Sequence, residues 1–187
     1  PKDKNKANES AALNEAYADI MGSLVEGQNW TIAESNEIVR NLENPESLEH
    51  PSVKGGDYYY PDAYLDGLTI EDYLKEKGYK TLFDYDRGGM HHNSTVVSHA
   101  AYLMYENGAF ESREEMAKVW YNSLFLLSSY SNFEDCALAV IKSAQNLDLS
   151  TKSIAIIRDA FIETKMLEVE SYEVTGTVKS GSIPVEN

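Results

Sequence analysis

The chain has 187 residues, 42% of them apolar, which is enough to bury one good-sized core. Its 31 acidic residues against 16 basic ones leave a net charge of −15. That balance argues against nucleic acid and anionic membrane as partners, since both demand a basic face, and it suits a soluble extracellular chain. One cysteine, Cys136, excludes an internal disulfide, and no apolar run approaches the roughly 20 residues of a membrane span.

The first seven residues are polar and read as an irregular N-terminus of a piece cut from a longer chain. Residues 8 to 27 read as a helix. Leu13, Tyr17, Ile20 and Leu24 recur at helical spacing, and Gly27 is a natural stop. A second stripe on this helix, Ala12, Glu15, Asp19, Ser23 and Glu26, contains only small and acidic residues. Residues 28 to 90 hold Pro45, Pro51 and Pro61, the pair Gly55-Gly56 and the run Tyr58-Tyr59-Tyr60, and predict a long irregular segment with one short helix near 69 to 77. A loop of that length in a compact domain is usually functional. From about residue 94 the helical period returns through Val96, Val97, Ala100, Ala101, Leu103 and Met104, ending at Asn107-Gly108. Ser112 with Glu115 and Ser131 with Glu134 read as capping boxes. They open helices that run to about Leu127 and Asn146, and residues 152 to 163 make the last helix. The alternating, β-branched tail, residues 166 to 187, reads as a strand or a linker to a further module. The sum is a mainly α domain over residues 8 to 165, a bundle of about five helices.

Two places could carry chemistry. Glu15 and Asp19 stand one turn apart on a helix and share a face. They form either a solvated acidic face or a metal ligand beside a carboxylate that orients another ligand, and in both cases a cation is needed nearby to offset their repulsion. In Asp86-Arg87-Gly88-Gly89-Met90-His91-His92-Asn93-Ser94, the glycine pair bends the backbone just before two histidines and a helix start, which Asn93 or Ser94 can cap. Asp86, five residues ahead of His91, can fold back across the turn and accept its ring proton, fixing the tautomer. Adjacent histidines cannot face one site from one helix, so His91 and His92 do different things. His50 and His99 lack such context and read as structural, as does Cys136 in its apolar run.

The segment Asn8-Glu9-Ser10-Ala11-Ala12-Leu13-Asn14-Glu15-Ala16-Tyr17-Ala18-Asp19 resembles the helix of thermolysin-like zinc peptidases that supplies the third zinc ligand. Gly88-Gly89-Met90-His91-His92-Asn93-Ser94 resembles that family's G-G-V-H-x-N-S-G motif. Arg40 before Asn44-Pro45, and Ser131-Asn132-Phe133 through Ala144, resemble two further stretches. All four occur in the family's order over roughly residues 8 to 163. The resemblance implies the helical C-terminal domain of a secreted or cell-surface, bacterial-type zinc endopeptidase acting on proteins or peptides. It implies that Glu15 ligates zinc and that Asp19 holds a zinc-binding histidine of the upstream half. His91 would stabilise the oxyanion, and Asp86 would orient it. Arg40 would contact the substrate carbonyl, with Ile32 and Val39 as apolar walls of the primed-side pocket. Glu26 and Glu34 match calcium-ligand positions.

The chain also departs from the family. Asn29 stands where an aspartate is common, Arg87 replaces an asparagine, and the tyrosine that assists the oxyanion has no match near Lys6. No H-E-x-x-H occurs in the 187 residues. The missing general base and two ligands are expected in an N-terminal catalytic half of the same parent chain, and this chain alone is expected to be inactive. The competing expectation is a binding or scaffold domain that keeps the helical fold, and the upstream sequence separates the two. A metal-binding module in its own right ranks last, because one Glu and a distant His are too few ligands.

Overall fold

The computed structural model describes residues 8–33, 38–48, 60–64 and 86–169. The anticipated helix near 69 to 77, the first seven residues, the bulk of the tail, His50 and Glu34 lie outside these.

Five α-helices make up the described fold: α1 (Glu9–Glu26), α2 (Asp86–Glu106), α3 (Arg113–Ser123), α4 (Phe133–Asn146) and α5 (Thr151–Glu163). The stripe Leu13, Tyr17, Ile20 and Leu24 is buried as its spacing predicts, and Ala12 and Ala16 are buried beside it. The alanines let α1 lie close along α2, whose Val96, Val97, Ala100, Ala101 and Met104 are fully buried. α1 also touches α3 and α4, while α5 packs on α2 and α4. Tyr17 of α1 meets Trp120 of α3 edge to face, with centroids 5.2 Å apart, and Trp120 leans on Phe161 of α5. Gly27 ends α1 with φ 75°, its N–H on the Ser23 carbonyl. That left-handed conformation is one glycine adopts without penalty.

The small and acidic stripe of α1 turns inward along most of its length, with only Glu26 exposed at its end. Ala12, Asp19 and Ser23 are buried, against α2 and a short antiparallel hairpin of β1 (Thr31–Ile32) and β2 (Arg40–Asn41). The hairpin was not legible as strand, because two residues a side are too few to show an alternation. The Leu42 N–H on the Trp30 carbonyl and the Val39 N–H on the Ile32 carbonyl extend the pairing at either end.

Three helix starts differ from expectation. α4 is capped by Asn132 with Asp135, one residue beyond Ser131 and Glu134. Ser131 instead ties down the preceding turn by accepting the Ser128 N–H. Ser112 does cap α3, but the Glu115 carboxylate reaches back to the Glu111 N–H. α3 tightens into a 3-10 turn at Leu124–Leu126, short of an α-helix running to Leu127. α2 opens with a left-handed turn, its first four residues all at positive φ (Asp86 47°, Arg87 51°, Gly88 94° and Gly89 74°), and the helix proper follows this kink. Neither Asn93 nor Ser94 caps it, since both are buried within the helix.

Candidate functional site

Three elements deliver the side chains: α1 brings Glu15 and Asp19, β2 brings Arg40, and α2 brings Asp86 from its left-handed opening turn and His91 from the helix that follows. The cation that two neighbouring carboxylates require is Arg40. Its Nε and Nη2 grip both oxygens of Asp19, the second at 2.8 Å. Nη2 also stands 3.8 Å from Glu15 Oε2. This fork-on-fork geometry is the strongest form of ion pairing available to side chains. Asp19 is only 4% exposed. Burial lifts its carboxyl above the ordinary aspartate range, and the guanidinium pulls it back part of the way. Arg40 is desolvated too, but Asp19 outweighs that and raises its pKa above the usual arginine value, keeping it cationic.

Asp86 is the residue that caps α2. One oxygen accepts the His91 and His92 backbone N–H groups at 2.7 and 3.0 Å, satisfying donors that a helix start leaves unpaired. The other lies 2.5 Å from His91 Nδ1. One carboxylate therefore starts the helix and fixes the imidazole. A neutral ring held this way carries its proton on Nδ1 and leaves Nε2 facing Glu15, 3.6 Å from Oε2. Glu15 and His91 remain open, 30% and 39% exposed.

His92 points the other way. It is fully buried and stacked on Tyr60 at 6.4 Å, so the two histidines separate as adjacency requires. Tyr60 was not singled out from the sequence, where it ends an undistinguished tyrosine run. It is buried beside Arg40, Asp86 and Asp19, and burial is the largest cause holding its phenol above the ordinary range. His99 is structural as read, its Nδ1 2.8 Å from the Leu42 carbonyl and its ring stacked on Tyr102. Ile32 is half-buried opposite Arg40 in the hairpin, and Val39, which gives its N–H to the Ile32 carbonyl, is exposed.

A zinc ion fits this donor set only in part. Glu15 offers an accessible carboxylate with a buried ion pair behind it. Among the described residues, however, no three His, Cys, Asp or Glu side chains gather to hold a metal. A catalytic zinc takes three protein ligands and leaves one position open, so two must come from elsewhere. Glu26 is exposed at a shallow pocket of about 170 Å³ with Gly22, Ser23, Thr31, Ile32 and Ala33. The Asn29 amide oxygen accepts from the Thr31 N–H and hydroxyl. Of the two carboxylates anticipated for calcium, Glu26 lies at this pocket, and Glu34 lies outside the described residues.

Residues 5–166 match the family described as thermolysin metallopeptidase, alpha-helical domain. Bacillolysin of Brevibacillus brevis is 31% identical over 155 residues, covering 75% of this chain and 25% of its own length. Thermolysin of Bacillus caldolyticus is 30% identical over 175 residues, 82% of this chain and 28% of its own. Gelatinase of Enterococcus faecalis is 27% identical over 155 residues, with the same two shares as that thermolysin. The chain thus spans about a quarter of the length of the curated relatives it matches. None of the described helices is long and apolar enough to cross a membrane.

Proposed function

The chain belongs to the thermolysin metallopeptidase family through its alpha-helical domain, and from that premise we propose that it forms one wall of the active site of a secreted zinc endopeptidase. The observation that carries this reading is the pair Glu15 and His91. Glu15 Oε2 and His91 Nε2 face each other across 3.6 Å, and the ring is held from behind by Asp86.

On this reading Glu15 holds zinc through a carboxylate oxygen, and two histidines and a glutamate base come from an upstream half carrying H-E-x-x-H. When bound, zinc supplies Lewis acidity toward a water and the scissile carbonyl. Asp19 lies behind Glu15 and leans on an upstream histidine ligand, its charge balanced by Arg40. His91 in its protonated form donates from Nε2 to the oxyanion that develops on the carbonyl, and Asp86 keeps the ring aimed while that charge appears. A donor fixed before the reaction costs no reorganisation when the charge forms, which is why such groups dominate catalysis. Arg40 reaches a substrate carbonyl from its place on Asp19. Ile32 and Val39 face an apolar side chain on the primed side.

This wall alone is incomplete, so the 187-residue chain neither binds zinc tightly nor cleaves peptides. The test compares the full-length protein, its Glu15→Gln variant and the isolated chain, by elemental analysis of bound zinc and by casein hydrolysis. Zinc and activity should be present in the first and absent from the other two. Stoichiometric zinc with undiminished activity in Glu15→Gln would overturn the reading.

A further inference from the structure

The geometry points to Asn8 as a positioning residue that sets His91 against Glu15. It is the joint between the two elements that carry them. The Asn8 side-chain oxygen accepts the Ala11 N–H and opens α1. Its backbone N–H donates to the Gly88 carbonyl at 2.9 Å, and its side-chain amide donates to the Arg87 carbonyl at 3.2 Å. Both carbonyls belong to the left-handed turn that starts α2. The approach is close: a Cβ on Gly88 would stand 2.8 Å from the Asn8 Cβ and 3.0 Å from its backbone nitrogen, at a φ of 94° that disfavours any side chain. Glycine is therefore required there for contact as well as for conformation.

The consequence is a closed chain of contacts. From Asn8, α1 climbs about two turns to Glu15, roughly 10 Å at 1.5 Å per residue. Also from Asn8, the turn passes through Arg87 and Gly88 to Asp86, whose carboxylate holds the ring and backbone of His91. The circuit is open only between Glu15 and His91. A displacement of the turn on Asn8 moves Asp86 and, through its two bonds to His91, the His91 ring. Capping α1 does not by itself demand asparagine, since aspartate and serine cap equally well. The demand comes from the donor to Arg87, because an amide alone among these side chains both accepts at a helix start and donates N–H groups with no charge.

This inference rests on the peptidase reading of Glu15 and His91. Its test uses the full-length protein and a double-mutant cycle of Asn8→Asp with His91→Ala. Asn8→Asp keeps the cap but sets a carboxylate oxygen where the amide donated to the Arg87 carbonyl, so the thermal midpoint should fall slightly and rates are compared per folded molecule. A small misplacement of a catalytic group is costly, and kcat should fall by about three- to tenfold with KM unchanged. In the His91→Ala background Asn8→Asp should have no further effect, the signature of residues acting as one unit. Asn8→Ser, a second cap without the amide, should behave as Asn8→Asp. An unchanged kcat, or an equal loss with and without His91, would overturn the inference while leaving the peptidase reading intact. A silent His91→Ala would overturn both.

Discussion

At the scale of single residues, Asp86 does two jobs that the sequence suggested separately. The five-residue spacing to His91 across Gly88-Gly89 made a carboxylate–imidazole contact legible. That the same carboxylate caps α2 was not legible, because the cap lies in a left-handed turn outside the usual Ser, Thr or Asn position just before the apolar period. Asp86→Asn keeps the shape but places an amide NH2 against either the ring nitrogen or the two backbone donors. In the full-length protein kcat/KM should fall about tenfold, less than for loss of His91 itself, since an amide oxygen can still meet one partner. Stability should fall by about 1 kcal/mol, the usual cost of a weakened helix cap. Peptide hydrolysis and chemical denaturation of the same preparation measure both. A stable variant with full activity would show that Asp86 orients nothing. The Asp19–Arg40 pair was half legible. Two carboxylates one turn apart demanded a cation, but 21 residues separate it from Asp19, and the hairpin that closes the gap leaves no pattern in the sequence.

At the scale of elements, the helices were legible wherever an apolar stripe meets a buried partner, as along Leu13, Tyr17, Ile20 and Leu24. Helix starts were less so. Ser131-Asn132-Phe133-Glu134-Asp135 contains two overlapping capping frames. Tertiary packing selects the second, which seats Phe133 in the core and gives its N–H to the Glu9 carboxylate of α1 at 2.8 Å. The α1–α4 contact also carries a pH dependence. Tyr17 bonds Ser123 at 2.7 Å and stands 3.7 Å from Cys136 Sγ, and all three are buried. Burial pushes the Cys136 thiol up to about 12 from an ordinary 9.0, and raises the Tyr17 phenol above its own ordinary value. Both folded pKa values exceed the unfolded ones, so the protonated native state is fully favoured below pH 9. Its advantage then falls as pH rises toward 12, by about 1.4 kcal/mol per pH unit for the thiol. Thermal unfolding of the chain should show a midpoint that drops steeply above pH 9, and Cys136→Ala should flatten the first part of that drop. An identical slope in the variant would remove Cys136 from the account.

At the scale of the whole molecule, on the proposed reading the domain is one wall of a site whose other wall lies in a different part of its parent. The four motifs made the family legible from the sequence, because each is a cluster of chemically constrained residues in fixed order. How they meet was not legible. The sequence asked for a cation beside the acidic pair without identifying it, and Arg40 supplies it, pairing with Asp19 and standing 3.8 Å from Glu15. The acidic pair can therefore fold in place before any metal arrives. On the proposed reading His91, not His92, faces the reacting carbonyl. The most direct measurement is kcat/KM for peptide hydrolysis by the full-length protein with His91→Ala and with His92→Ala, corrected for the folded fraction. His91→Ala should lose about 10²–10³, the cost of one oxyanion donor. His92→Ala should lose stability, as a fully buried ring stacked on Tyr60 must, while each folded molecule keeps its rate. Full activity in His91→Ala, together with a rate lost in folded His92→Ala, would contradict the account.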